Sequence, residues 1–575
     1  MTKVLKKIRE KKIYYYFILI IVSLIASIPL IRFQIKLSDD GFIHILRIIG
    51  MDSILKNGEF PPFIEPNYCN NWGYAINLFY PSLVTYGPLL FKVVTNSFYN
   101  ALKLYTLATI LISSFTMYKC TKEITDNNEI ALLAGIIYTL FPYRLETIYD
   151  RFAIGEFSSY MFLPLVFLGL YNLVNKDGKK HYYISIGAIG LILTHTITTE
   201  YTAIFSFIYL LFNIKKLKNK EIIKKIFINV VIILGITAFF TIPIMEHKIL
   251  GEYTIFNSGI MSSTGIDVQS QTIKFAELFI DMRDDYVSFK IGFPIIFLIL
   301  LSFEGYKKIE DNKTYVLFLF FAVISIIMCL NIFCWIFLPD FLCTLQYPWR
   351  MLEFFGFFAS IICAINAYTI IKKLPKINTN LVLLCAIVLI IVLSIPMVAR
   401  YKIEDKDLNI DEIYETKITS NMKISHYSIN REYLPLKANS KQRTYMLERK
   451  DNVYVLEGSS VIENEIKNNL NLSFEIKNTQ EGTILELPYL YYLGYESNIE
   501  YSNGTIVKLQ TFESENGFVT IRIPGNIEKA TVNVQYKGTK IEKIGYIISG
   551  FTIICCTVYI FLSRKRRKIE GKYEK

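Results

Sequence analysis

The chain has 575 residues, 52% hydrophobic and 15% aromatic, with a net charge of +12 and a mean hydropathy of +0.35. That balance excludes an ordinary soluble enzyme of this size and makes the bilayer the main solvent. The basic residues stand in short clusters beside apolar segments rather than along one soluble face, so the charge excludes a nucleic-acid partner and reads as a topology signal.

A spanning helix needs roughly 20 mostly apolar residues. In chain order the predicted spans are 13–31, 101–118, 129–143, 157–174, 181–196, 200–214, 225–244, 291–305, 314–337, 351–371, 380–399 and 544–562. The first follows six basic residues between Lys3 and Lys12. It runs long and lacks a small-residue cleavage site, so it reads as a retained helix and not a signal peptide. Segment 78–94, LFYPSLVTYGPLLFKVV, holds two prolines and a glycine. It reads as a broken or re-entrant element that does not cross.

With 78–94 left uncrossed, every second loop is basic: the N-terminus, Lys119 and Lys122, Lys176–Lys180, Lys215–Lys225, Lys307–Lys313, Lys372–Lys376 and RKRRK at 564–568. The positive-inside pattern predicts a polytopic α-helical protein of the cell membrane with about twelve transmembrane helices and both termini cytoplasmic. The domains expected are a transmembrane domain over 1–400 with a first outer loop at 32–100, an extracytoplasmic β-rich domain over 401–541, and a final helix with its basic tail over 542–575. The β expectation rests on alternating apolar and polar residues in NVYVLEG, LNLSFEIKN, TILELPYL, GFVTIRIPG and KATVNVQYK, with Asn-Gly turns at Asn503 and Asn516. A sandwich-like domain follows, with acceptor positioning its expected role. The nine cysteines show no CxxC pair or metal-type spacing, which supports neither a disulfide framework nor a cysteine zinc site.

Charged groups gathered at the outer ends of membrane helices point to a lined cavity. The first outer loop begins SDDGFIHILR, placing Asp40, His44 and Arg47 at i, i+4 and i+7 on one helical face. A carboxylate held beside a histidine and an arginine stays ionised and can act as a base or hold a metal ion; a solvated helix with a local ion pair reads equally well. FPYRLETIYDRFAIGEF brings Arg144, Glu146, Asp150, Arg151 and Glu156 between two spans, suited to a phosphate, a sugar or a salt-bridge network. His195 and Glu200 sit at the turn in LTHTITTEY, where a histidine is more often a cap than a catalyst. Arg350, in LQYPWRM, opens a helix where its charge opposes the dipole unless an anion offsets it. Trp72, Tyr80 and Trp349 are aromatic candidates for stacking on a sugar, or else belt residues. No P-loop, GxGxxG, GxSxG or HExxH accompanies these groups.

Asp-x-x-x-His-x-x-Arg after one membrane helix, then WGYAINLFYP, RFAIGEF with its following LPL, LTHT, LQYPWR and the late LPYLYYLGY together resemble the bacterial membrane proteins labelled 6-pyruvoyl-tetrahydropterin synthase-related. These are similar to YfhO-like proteins, and both resemble the GT-C glycosyltransferase superfamily; nothing in the sequence suggests a pterin site. The resemblance implies a GT-C-like fold and sugar transfer, on the extracytoplasmic side, from a polyprenyl-phosphate donor to an envelope polymer, glycolipid or protein. It maps the acidic residue near the reacting centre onto Asp40, with Asp39 as substitute, and lines the cavity with Arg144, Glu156, His195 and Arg350. Partners would be membrane lipid, donor and acceptor. No cofactor is implied with certainty, a divalent metal ion being the one to consider. A transporter or flippase of lipid-linked glycans, and a non-catalytic envelope-assembly protein, are the alternatives; the first predicts mid-helix charges and internal repeats.

Overall fold

A computed structural model describes residues 13–32, 40–257, 263–280, 289–306, 312–373, 385, 388–392, 432–440 and 443–573. These fall into two compact units. One takes in the described residues within 1–45, 82–231 and 263–411, the other those within 46–81, 232–262 and 412–575. The predicted span at 380–399 lies almost wholly outside the described residues, as does Asp39.

The first unit is helical. Helix α1 (Ile13–Ala26) buries Leu19 and Val22. Helix α2 (Gly41–Lys56) begins at Asp40, whose carbonyl accepts from the His44 amide at 3.2 Å; the division between units falls within it. Helix α3 (Leu83–Thr95) contains Pro88. Thirteen residues make about 20 Å at 1.5 Å each, less than the ~30 Å hydrocarbon core. Helices α4 (Phe98–Thr125) and α5 (Asn128–Thr139) are started by Ser97 and Asn127, whose side chains accept from the Asn100 and Ile130 amides. Next come α6 (Pro142–Tyr149), α7 (Ile154–Ser159), α8 (Leu163–Asn175), α9 (Tyr183–Ile192) and α10 (Thr196–Phe212). Helix α11 (Lys220–Leu250) crosses the division, and α12 (Phe293–Leu300), α13 (Asn312–Cys329) and α14 (Met351–Lys373) complete the unit.

The core of this unit is aromatic. The Phe358 ring lies 5.0 Å from Phe167, 5.1 Å from Phe321, 5.2 Å from Phe318 and 5.5 Å from Phe205. Offset and edge contacts of this kind add about 0.5–1.5 kcal/mol per pair beyond area burial. In lipid, where burial alone does not drive helices together, such packing and small-residue contacts do.

Among the described residues, six helices are long and apolar enough to cross a membrane: Phe98–Thr125, Ile154–Asn175, Lys220–Leu250, Asn312–Cys329, Pro348–Lys373 and Lys540–Lys565. Five shorter apolar helices accompany them, Ile13–Ala26, Leu83–Thr95, Asn128–Thr139, Tyr183–Ile192 and Thr196–Phe212. Several boundaries depart from the sequence expectation. The predicted span 314–337 ends at Cys329 and continues as turns that include Trp335–Phe337. The charged segment 144–156, read as lying between two spans, is mostly helix, α6 and α7, and its Arg144, Glu146, Arg151 and Glu156 side chains are buried.

Among the described residues, the second unit holds nine strands and the last helix, α15 (Lys540–Tyr573). The strands are β1 (Tyr454–Glu457), β2 (Val461–Asn468), β3 (Asn471–Thr479), β4 (Ile484–Leu490), β5 (Tyr495–Tyr501), β6 (Ile506–Leu509), β7 (Thr511–Glu513), β8 (Phe518–Arg522) and β9 (Ile527–Tyr536). They form two antiparallel sheets, β1-β4-β8-β7 and β2-β3-β9-β5-β6. The five alternating segments read from the sequence become β1, β3, β4, β8 and β9, and both Asn-Gly pairs sit at hairpin turns with positive φ at Gly504 and Gly517. Alternation orients β3, whose Leu472, Phe474 and Ile476 are buried opposite Val534, Val532 and Ala530 of β9. Strand β4 is buried along its whole length, which requires its Glu486 to be paired; Arg449 supplies the partner at 3.0 Å.

Residues 46–81 belong to this second unit. The Trp72 carbonyl accepts from the Leu490 amide at 2.9 Å, its ring packs edge-on against Phe518 at 5.1 Å, and Lys467 donates to the Asn71 carbonyl at 2.6 Å. Asn71 and Trp72 thus pack into the β core.

Candidate functional site

The helical unit gathers its charges around Arg151, in the short link between α6 and α7. Its Nη2 lies 3.0 Å from Asp40 Oδ2 and its Nη1 3.0 Å from Glu156 Oε2. The other Glu156 oxygen, Oε1, accepts from the Tyr143 hydroxyl at 2.6 Å. Glu156 and Arg151 are buried, whereas the Asp40 side chain keeps 40% of its surface. The local chain explains the placement. Pro142 opens α6 at its first turn, α6 ends at Tyr149, and Phe152 takes a left-handed φ of 47° that turns the chain into α7. Arg151 and Glu156 lie on either side of that turn, and a guanidinium is the group whose fork can serve two carboxylates at once.

A second group adjoins this one. Glu353, in the first turn of α14, accepts from the Ser159 hydroxyl and, at 2.7 Å, from Thr198 Oγ1. His195 precedes α10 and lies with Nδ1 2.7 Å from the same Thr198 hydroxyl and 3.4 Å from the Thr198 amide. The histidine stands at the cap position of α10, beside the hydroxyl–carboxylate pair of Thr198 and Glu353. Arg350 donates to the Leu345 carbonyl and to Gln346 Oε1, each at 3.0 Å, while its buried Nε makes no hydrogen bond.

The electrostatics fix the state of Asp40. Burial pushes its pKa up, but the charges of Arg151, His44 and Arg350 pull it down further, and the net result lies below the ordinary carboxylate value. A partly exposed, ionised carboxylate braced from behind by a buried guanidinium can accept a hydrogen bond from a hydroxyl, orient it, or take a proton from it as bond-making acidifies it. Its Oδ1 has no partner among the described residues.

The structure therefore brings together Asp40, Glu156, His195 and Arg350 of the predicted residues, with His44 and Arg350 close enough to act on the Asp40 charge. Glu200 stands apart from the Arg151 pairings, accepting from Thr344 Oγ1 at 2.7 Å. Arg144 is fully buried, with hydrogen bonds to Ser113 and the Tyr138 carbonyl and with the Tyr138 and Tyr160 rings 5.6 and 5.3 Å away. A cation wrapped in this way braces α4 against α5 and α6. Arg47 belongs to the second unit, with Nη2 3.2 Å from the Pro81 carbonyl and its guanidinium 4.2 Å from the Tyr80 ring centre. Arg47 and Tyr80 thus engage each other. Trp72 has no exposed surface, so neither face of its indole is open to a sugar. Arg151 stands in the sequence only as one of several charges in its segment, and Glu353, Tyr143, Ser159 and Thr198 are not singled out there. A carboxylate at position 353, inside an apolar span, is the signal that would have found the second group.

Two comparisons bear on this chain. A model of the 6-pyruvoyl-tetrahydropterin synthase related domain, a membrane protein family, matches residues 78–402. An uncharacterized protein of Lactococcus lactis subsp. cremoris (strain MG1363) is 28% identical over 343 residues. That match covers 58% of this chain and 56% of the relative, so the chain spans little more than half the relative's length.

Proposed function

Because the chain belongs to the 6-pyruvoyl-tetrahydropterin synthase related family of membrane proteins, we propose that it is a GT-C-type glycosyltransferase. It would pass a sugar from a polyprenyl-phosphate donor to an envelope polymer, glycolipid or protein on the extracytoplasmic side of the cell membrane. About twelve spans, cytoplasmic termini and an outward β region make up this reading, with the six long apolar helices as its firmest part. The observation that carries it is Asp40, ionised and 40% exposed, gripped by a guanidinium that Glu156 anchors.

In the transfer step the acceptor hydroxyl hydrogen-bonds to Asp40, its oxygen attacks the anomeric carbon, and the bond to the lipid phosphate breaks. Asp40 takes the proton, and the phosphate leaves with the electron pair. Asp39 is the substitute for Asp40 in this role. Arg350, whose charge acts on Asp40, is the group that meets the phosphate charge, a role that the fully buried Arg144 is too enclosed to fill. A divalent ion arriving with the donor would find Asp40 Oδ1 as a protein ligand.

The reading is tested with purified protein in vesicles containing a defined polyprenyl-phosphate sugar. Wild type turns the donor over, and Asp40→Asn lowers the rate at least a hundredfold while inserting normally, on the scale of a lost general base. Translocation of the labelled donor by wild type without turnover would replace the enzyme with a flippase.

A further inference from the structure

The second unit contains another cluster, unconnected with Asp40. Glu246 and His247, at the C-terminal end of α11, meet Glu542 in the first turn of α15. All three are buried, and one ligand-type atom from each lies within 4.8 Å of the others.

The histidine is the informative member. It has no exposed surface, and its Nδ1 lies 3.0 Å from the Pro243 carbonyl. A carbonyl can only accept, so Nδ1 carries the proton and Nε2 of the neutral ring presents a lone pair. That Nε2 is buried without a hydrogen bond, 3.9 Å from Glu542 Oε1. An imidazolium there would draw the carboxylate into hydrogen-bond range, near 2.7–2.9 Å. The observed gap is wider than that, and would have to close by about half an ångström to reach the ~3.4 Å that separates two ligands of a tetrahedral ion bound about 2.1 Å from each.

The carboxylates are aimed from behind. Glu246 Oε2 accepts from the Thr539 hydroxyl at 2.5 Å and Glu542 Oε2 from the Thr539 amide at 2.9 Å. Such outer hydrogen bonds, together with a histidine whose far nitrogen is tied to a carbonyl, are the second layer that orients metal ligands. The Phe79 and Tyr253 rings, centred 6.1 and 5.6 Å from His247, keep the surroundings apolar. Two carboxylates this close in such a setting repel unless one takes up a proton or a cation lies between them, and a cation displaces that proton.

We propose that Glu246, His247 and Glu542 bind one zinc ion. An imidazole nitrogen selects against magnesium and calcium, and two carboxylates balance the ion's charge. The ion ties the end of α11 to the start of α15, a structural role independent of any transfer reaction. A water completes its fourth position.

Full-length protein stripped with chelator in detergent and then titrated with zinc tests this. Wild type is expected to retain one zinc per chain through desalting, to unfold at a higher temperature with zinc than without, and to ignore millimolar magnesium. His247→Gln and Glu542→Gln should each weaken zinc binding at least tenfold. A stripped wild type that takes up no stoichiometric zinc overturns the site, whatever the variants do, and so does wild-type affinity in both variants.

Discussion

Arg151 holds two carboxylates with one guanidinium, and its two partners differ in what they would lose. Glu156 is buried and Asp40 is not, so removing the cation costs chiefly through Glu156. Arg151→Met is expected to destabilise the protein by about 3–5 kcal/mol, the scale for stranding one partner of a buried pair. Adding Glu156→Gln should restore most of the lost unfolding temperature without restoring the proposed sugar transfer, because Asp40 is still unbraced. Restored transfer in the double variant would show that Arg151 acts only in folding. Glu65, in the second unit, behaves oppositely to Asp40. Burial raises its pKa from 4.5 to about 8, against the opposing pull of Arg47 and of the Asn77 hydrogen bond at 3.0 Å. Its folded form thus holds a proton that the unfolded chain releases above about pH 4.5, so stability is greatest below that pH and falls as pH rises to about 8. Asp40 has a depressed pKa, so its contribution is present above the ordinary carboxylate value and lost as pH falls through the folded one. Thermal unfolding of the full chain between pH 5 and 9 should show the Glu65 slope, and Glu65→Gln should flatten it. The sequence displayed Asp40, Glu156, His195 and Arg350 through local motifs. It hid Glu353, because its partners Ser159 and Thr198 are 194 and 155 positions away and no local period reports such pairs.

At the scale of elements, hydropathy found the apolar segments and missed where they bend. A run of apolar residues says how much lipid-compatible surface is present, whereas a helix end depends on capping and on proline. The predicted span 129–143 thus resolves into α5 and, after Pro142, α6, and 181–196 stops at Ile192 before the His195 cap. Helices α8 and α9 show what membrane packing demands. A Cβ added at Gly169 would collide with the Ile184 backbone nitrogen, and one at Gly187 would stand 2.7 Å from the Val166 nitrogen. Both obstacles are main chain and cannot rotate away. Gly169→Ala should therefore force α8 and α9 apart and lower the unfolding temperature by several degrees, a ΔΔG on the order of 1–3 kcal/mol. Gly550→Ala, in exposed α15 with nothing within 4 Å, supplies the control and should be neutral or slightly stabilising. Equal losses at both positions would mean that close packing is not what Gly169 provides.

For the whole molecule, the β strands were plain in the sequence because period-2 alternation is a local signal. Their partnership with the first outer loop was not, since Asn71 and Lys467 are 396 positions apart. That partnership changes the role expected of the β region. Removing 443–536 would uncover Trp72, which has no exposed surface, and Tyr74, which has 1%. Loss of the folded protein is thus the expected result rather than altered acceptor choice, measured as yield of monodisperse protein after extraction. Orientation follows from a different feature, the placement of charge. Each basic cluster resists transfer across the bilayer, and RKRRK at 564–568 follows the last long apolar helix directly. With the nine native cysteines replaced, a cysteine at exposed Glu481 in the turn before β4 should react with a membrane-impermeant maleimide in intact cells. One at Lys565 should react only after permeabilisation. The reverse pattern would turn the whole chain over and move Asp40 and the β region to the cytoplasm, where a donor displayed on the outer face could not reach them.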